Sequence, residues 1–334
     1  MRDLYVIGGK QRVARSLRDG NDNWHGYDHG MVVAVDTEAG TATSRLEYAS
    51  PPEVAAEEGA ISFQAGALEG DQLYLCTETE VLVYGLPDFD VRHYVTLPWF
   101  NDVHHVRPTP DGHLLVASAG LELVIEVTVE GEVRRLWNVL GEDPWARFDP
   151  EVDWRQVAST KPHRAHPNFL FHIGDEPWAT RFHQGDAISL DDPGRRIAIS
   201  DKRIHDGVVH DGRIHFSTVD GHVLVADAAT LEVVEDIDLN AFHPDRSDLL
   251  GWCRGILVDG DRLWVGFSRI RPTRFRENVG WVSRGFKRDM PTHIGCYDLA
   301  SRTCVAEVEL EQTGLSAVYG IFPAVPVGAS APRR

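Results

Sequence analysis

The sequence predicts an all-β chain folded as a six-bladed β-propeller, with the last strand completing the first blade. Three observations lead there. Short runs rich in Val, Ile, Leu and Tyr alternate with Gly and Asp-Gly turn signals, and no long amphipathic helix interrupts them. The runs group by fours into units of roughly 40 residues, the period of propeller blades. The N-terminal unit has only three strands, and the C-terminus supplies a single spare one, which is how such a ring closes without exposed edges.

The clearest unit begins at Asn101-Asp-Val-His-His-Val-Arg-Pro-Thr-Pro-Asp-Gly-His-Leu-Leu-Val-Ala-Ser118, an apolar run, a Pro-Asp-Gly turn and a second apolar run. That pattern is a β-hairpin. It continues through 123–127 and 132–139. The unit before it takes Phe63–Gly66, Leu73–Thr77, Val81–Tyr84 and Val91–Leu97 as its strands. Later units start at His166-Pro-Asn-Phe169, Ile204-His-Asp-Gly207 and Trp252-Cys-Arg-Gly-Ile256. Leu4–Ile7, Met31–Val35 and Thr43–Tyr48 read as the three-stranded unit, and Ser316–Phe322 as its missing inner strand. One domain over residues 1–328 is expected, followed by a disordered tail at 329–334.

Three insertions break the period, at 10–30, 141–164 and 269–292. In the blade template all three fall on the face where the inner strands begin. Long loops without a repeat of their own are commonly functional, so a lid over the axial mouth is expected.

Composition bounds the partners. The 334 residues carry 43% hydrophobic content, enough to fill a core, and a formal charge of −18. Such acidity argues against nucleic acid or an anionic membrane. No apolar run approaches the ~18 residues of a membrane helix, and the N-terminal run is too short for a signal peptide, so a cytoplasmic location is expected. Cys76, Cys253, Cys296 and Cys304 show no metal-type Cys-x-x-Cys spacing and read as reduced thiols. No P-loop, dinucleotide-binding glycine fingerprint, nucleophile elbow or His-Glu-x-x-His appears in a suitable context, so no nucleotide cofactor is expected.

Aligning the units on their turns brings one polar position per blade to the axial end of the first strand. These positions are Gln64, His104 or His105, Asn168, His205, Arg254 and Tyr319. A second ring, from the loops after the second strands, includes Arg181, His183 and Arg269. His163 and His166 lead directly into the fourth inner strand. Imidazoles serve as bases, nucleophiles or metal ligands near neutral pH. His104, His105, His166 and His205 are therefore candidate ligands for a divalent ion such as Zn, Mn or Fe. Arginine offers a fixed fork for carboxylate, sulfate or phosphate. Arg254, with the basic island Arg269-Ile-Arg271-Pro-Thr-Arg-Phe-Arg276, points to an anionic small molecule.

Asn101-Asp-Val-His-His-Val with the following Pro-Asp-Gly-His-Leu-Leu-Val resembles the propeller repeat of the arylsulfotransferase-like group. That resemblance implies a six-bladed ring with polar residues at its axis and a histidine that accepts a sulfuryl group. It would assign His104, His205, Asn168 and Arg254 to those positions. Members of that group are typically exported, whereas no export signal is read here. The repeat is also similar to streptogramin-lyase-like propellers, which use axial histidines with a divalent metal. The expected function is an enzyme acting on a small anionic or aromatic substrate in the axial funnel, of sulfuryl-transfer, lyase or hydrolase type. The rival expectation is a binding module anchored by rim aromatics Trp145, Trp154 and Trp281.

Overall fold

The computed structural model describes residues 3–12, 26–57, 59–243, 250–269 and 290–325. The first blade contains β1 (Leu4–Gln11), β2 (Tyr27–Asp36) and β3 (Thr41–Tyr48). The second is β4 (Ala67–Glu69), β5 (Gln72–Cys76), β6 (Val81–Gly85) and β7 (Asp90–Val95). The third is β8 (Val103–Pro108), β9 (Leu114–Ser118), β10 (Leu123–Val127) and β11 (Val133–Asn138). The fourth is β12 (Pro167–Ile173), β13 (Glu176–Arg181), β14 (Asp186–Ser189) and β15 (Arg196–Ala198). The fifth is β16 (Ile204–His210), β17 (Arg213–Thr218), β18 (His222–Asp227) and β19 (Val233–Asp238). The sixth is β20 (Trp252–Asp259), β21 (Arg262–Ser268), β22 (His293–Asp298) and β23 (Thr303–Glu309). The last strand, β24 (Leu315–Pro323), pairs antiparallel with β1 and gives the first blade the order β24-β1-β2-β3. This is the six-bladed propeller that the repeats predict.

Burial follows position in the blade. β9 and β6 are buried at every residue because neighbouring blades cover both of their faces, whereas outer strands such as β3 and β23 are partly exposed and rich in polar residues. The core is a set of apolar layers between blades. One layer gathers Leu4, Val6, Met31, Val33, Trp264, Ile294, Val318 and Ile321, and so bonds the closing blade to the sixth.

One detail of strand placement differs from the sequence reading, and the reading of the cysteines as reduced thiols holds. Regular pairing in the second blade begins at Ala67, not Phe63, and the Gln64 backbone N–H donates to the Cys76 carbonyl at 2.8 Å instead. Gly66 permits that approach, since a Cβ there would stand 2.0 Å from the Tyr74 carbonyl oxygen. The four cysteines are free thiols; across β22–β23, Cys296 pairs with Ala306 and Cys304 with Tyr297.

Segment 141–164 lies against the channel mouth, held by the Asn101 side-chain amide, which donates to the carbonyls of Trp154 (2.8 Å) and Val157 (2.7 Å). Most of the other two insertions, Arg271, Trp281 and the 329–334 tail lie outside the described residues. Trp145 and Trp154 pack against the apolar layer of the third blade instead of standing free at the rim. Among the described residues no helix is long and apolar enough to cross a membrane.

Candidate active site at the channel mouth

Breaks in strand register build the site. In β8 the pairing steps from Val103↔Ser118 to His105↔Ala117, which leaves His104 as an extra residue. In β16 it steps from Ile204↔Thr218 to Asp206↔Ser217 and leaves His205. In β24 the step from Gly320 to Val318 leaves Tyr319, and in β20 the extra residue is Gly255, immediately after Arg254. A bulge frees one side chain from the ladder and re-aims it. Three inner strands free the extra residue itself, β20 places its bulge next to the paired Arg254, and His104, His205, Arg254 and Tyr319 all line a single cavity. β12 slips as well, between Pro167 and Leu170.

That cavity, of about 770 Å³, is walled by the loop around Ala55–Ala60, by segment 155–163 and by the inner strands. At its floor a ligating nitrogen from each of His104, His166 and His205 lies within 4.8 Å of the other two. His104 is 4.4 Å from His166 and 5.4 Å from His205, centroid to centroid, stacking on the latter. Beside them Asp102, His163 and His166 form a second group that shares His166.

Burial dominates the electrostatics. It lowers the His104 pKa to about 4 against the raising effect of Asp102, and pushes His166 and His205 well below the ordinary imidazole range. These rings are neutral at neutral pH. Burial alone would raise Asp102, but His104, His163, Lys161 and Arg254 outweigh it and hold the carboxyl below its usual range. Glu78 goes the other way: burial lifts it to about 8, although Gln64 Nε2 and Ser62 Oγ each donate to its Oε1 at 3.0 Å. The Arg254 guanidinium lies 4.7 Å over the Tyr319 ring. Its pKa is lowered by burial and supported by Tyr319, Tyr27, Asp206 and Asp102.

Of the residues singled out in the sequence, Gln64, His104, His163, His166, His183, His205, Arg254 and Tyr319 line the cavity. Others do not. His105 is paired in register, buried, and set edge-on to Phe169 at 5.2 Å, with no hydrogen-bond partner on Nδ1. Asn168 stitches strands together, donating to the Ile204 carbonyl (3.0 Å) and accepting from Thr180 Oγ1 (2.6 Å). Arg181 is a two-pronged partner of Asp186 and also donates to the Val139 carbonyl. Arg269 pairs with Glu311.

The structure adds Asp102 and Glu78 to the cavity wall. It also adds Glu122, fully buried below the wall, whose carboxylate accepts from the backbone amides of Arg164, Ala165 and His166. That clamp fixes the turn carrying His166, itself at φ 59°. Asp102 carried a sequence signal, being two residues before His104; Glu122 carried none.

No known family model matches the sequence, and no curated protein matches it. Solved structures share the fold. A protein of unknown function from Bacteroides caccae is 12% identical with a TM-score of 0.61, over 97% of this chain and 99% of its own. A chain of a nidogen/laminin complex is 9% identical with a TM-score of 0.57, over 96% and 98%. A streptogramin B lyase structure is also similar, at 10% identity and a TM-score of 0.48, over 95% and 91%. At such identities the likeness of the first two speaks to the fold alone. It does not bear on the arylsulfotransferase-like resemblance.

Proposed function

We propose that this chain is an enzyme acting on a small anionic or aromatic molecule in the axial funnel, through histidine or divalent-metal chemistry of sulfuryl-transfer, lyase or hydrolase type. The supporting observation is the convergence of three neutral imidazoles beside a half-buried guanidinium in one cavity. Arg254 would hold the anion, where low dielectric strengthens a charge-assisted bond. Tyr27, Tyr319 and Trp252 offer apolar faces to a ring.

The pKa pattern favours the metal variant. A histidine lowered to about 4 is a weak base at neutral pH, but its neutral lone pair remains a good ligand. Three such nitrogens within 4.8 Å suit Zn, Mn or Fe. When bound, such an ion polarises a substrate oxygen or lowers the pKa of a water. The chain's own groups divide the remaining work. Arg254 orients the anion, segment 155–163 shields the floor from water, and Glu78, protonated up to about pH 8, keeps a proton to donate.

The test is metal analysis of the purified protein, followed by a thermal-shift screen with aryl sulfates, carboxylates and phosphates. The expected result is bound metal and a ligand-dependent shift, both lost in His104→Ala and His205→Ala. Protein that carries no metal, takes none up and gives no shift would refute the proposal.

A further inference from the structure

We propose that Thr160 and His163 are positioning residues that fix the tautomer of His166, so that a divalent cation is taken by the His104–His166–His205 group and not by the overlapping Asp102–His163–His166 group. The inference rests on the metal reading above and goes further, choosing between two sites that share one ring.

The choice follows from counting protons. Thr160 Oγ1 lies 2.6 Å from the Gly120 carbonyl oxygen, which only accepts, so the single hydroxyl proton is donated there. His163 Nε2, 3.2 Å from the same hydroxyl, must then donate to its oxygen. A neutral imidazole has one N–H, so His163 Nδ1 is left as a lone pair. His166 Nδ1 lies 2.8 Å from that lone pair and must carry the proton of the bond between them. His166 therefore presents a bare Nε2. His104 reaches the same state by another route, because its Nδ1 donates to the Asp102 carbonyl at 2.9 Å and leaves Nε2 bare.

The rival group uses the wrong nitrogen. Asp102 Oδ2 lies 3.8 Å from His163 Nδ1 and 4.0 Å from His166 Nδ1. A cation there would have to displace the proton that joins the two rings. The chain Gly120–Thr160–His163–His166 is thus an outer layer of hydrogen bonds of the kind that orients a ligating ring. Gly120 is itself demanded by the geometry, since a Cβ at that position would stand 2.0 Å from Asn101 Oδ1.

The experiment is nitrogen-15 histidine spectroscopy of the full-length, metal-free protein at neutral pH, followed by titration with zinc. The expected spectrum shows His166 protonated on Nδ1 and His163 on Nε2, and zinc then shifts His166 Nε2. In Thr160→Val the two rings exchange tautomers and zinc binds roughly 10- to 100-fold more weakly, whereas Thr160→Ser restores both. The proposal is overturned if His166 is protonated on Nε2, if zinc shifts its Nδ1, or if Thr160→Val changes neither tautomer nor affinity. Zinc that binds with no dependence on His104 or His205, or does not bind at all, overturns the metal reading instead, and the metal-free tautomers tell the two failures apart.

Discussion

The rings of His104 and His205 stack 5.4 Å apart, although a whole blade separates their strands. Each is the unpaired residue of a bulge, so neither side chain owes anything to a sheet ladder. Replacing either by Ala should remove metal and activity while the melting temperature changes little. His113, tied to Glu126 at 2.8 Å outside the cavity, is the control and should tolerate Ala with activity intact. His105→Ala should do the reverse, lowering the melting temperature while metal content is retained. Measuring all four variants by metal analysis and calorimetry separates the axial residues from the scaffold.

Arg254→Gln should weaken binding of an anionic ligand while leaving a neutral aromatic ligand nearly unaffected. Hydrogen bonds to charged groups contribute about 1.5–3 kcal/mol, which corresponds to roughly 10- to 100-fold in Kd. Calorimetric titration with a matched pair, one ligand charged and one not, checks it. Equal losses for both would show that Arg254 only shapes the cavity.

Glu122→Ala should cost about 2–4 kcal/mol, because three backbone amides lose a buried acceptor at once. Since those amides set the turn before β12, the variant should also bind metal less well than its residual stability implies. Urea unfolding with parallel zinc titration measures both.

Stability should depend on pH in two opposed limbs. His104 and His105 titrate near 4 and 3 when folded, against 6.5 in their ordinary state. Below pH 6.5 the unfolded chain therefore binds protons that the folded chain refuses, and stability falls as pH drops toward 4. Glu78, raised to about 8, has the opposite sign: the unfolded chain releases its proton above 4.5, so stability falls as pH rises from 4.5 to 8. Glu78→Gln should flatten the alkaline limb in a melting series from pH 4 to 9, and His105→Ala should soften the acid one.

Deleting residues 315–334 should abolish cooperative melting. β24 pairs along β1 and buries Leu315, Ala317, Val318 and Ile321. At about 1.5–3 kcal/mol for each large apolar side chain, the loss is comparable to the whole stability of a domain, about 5–15 kcal/mol. A truncated chain that melts like the full-length one would show that closure lies elsewhere.

The blades were readable because their hairpins repeat, and His104, His205, Arg254 and Tyr319 were found because they recur at one offset from those turns. Asn168 occupies the equivalent position, but in β12 the slip falls between Pro167 and Leu170, and the amide is consumed by Ile204 and Thr180. The choice between His104 and His105 needed the bulge itself, which depends on pairing with β9 and not on residue type. Glu78 and Glu122 lie in the loops after second strands, where no residue type recurs from blade to blade, and Asp102 lies in a connection between blades; His163 was visible only as a neighbour of His166. Their convergence is a tertiary fact, set by where segment 141–164 folds back on the mouth.

The bulges have a consequence for how such a protein changes over time. A residue standing outside the ladder can be exchanged without moving a single interstrand hydrogen bond, so the axial chemistry and the ring that carries it are free to vary separately. One ring can then pass through many different axial sets while its strands stay in register. Inheritance of the fold would say little about the reaction, and the extra residues at His104, His205 and Tyr319 are where two otherwise superimposable rings should be compared.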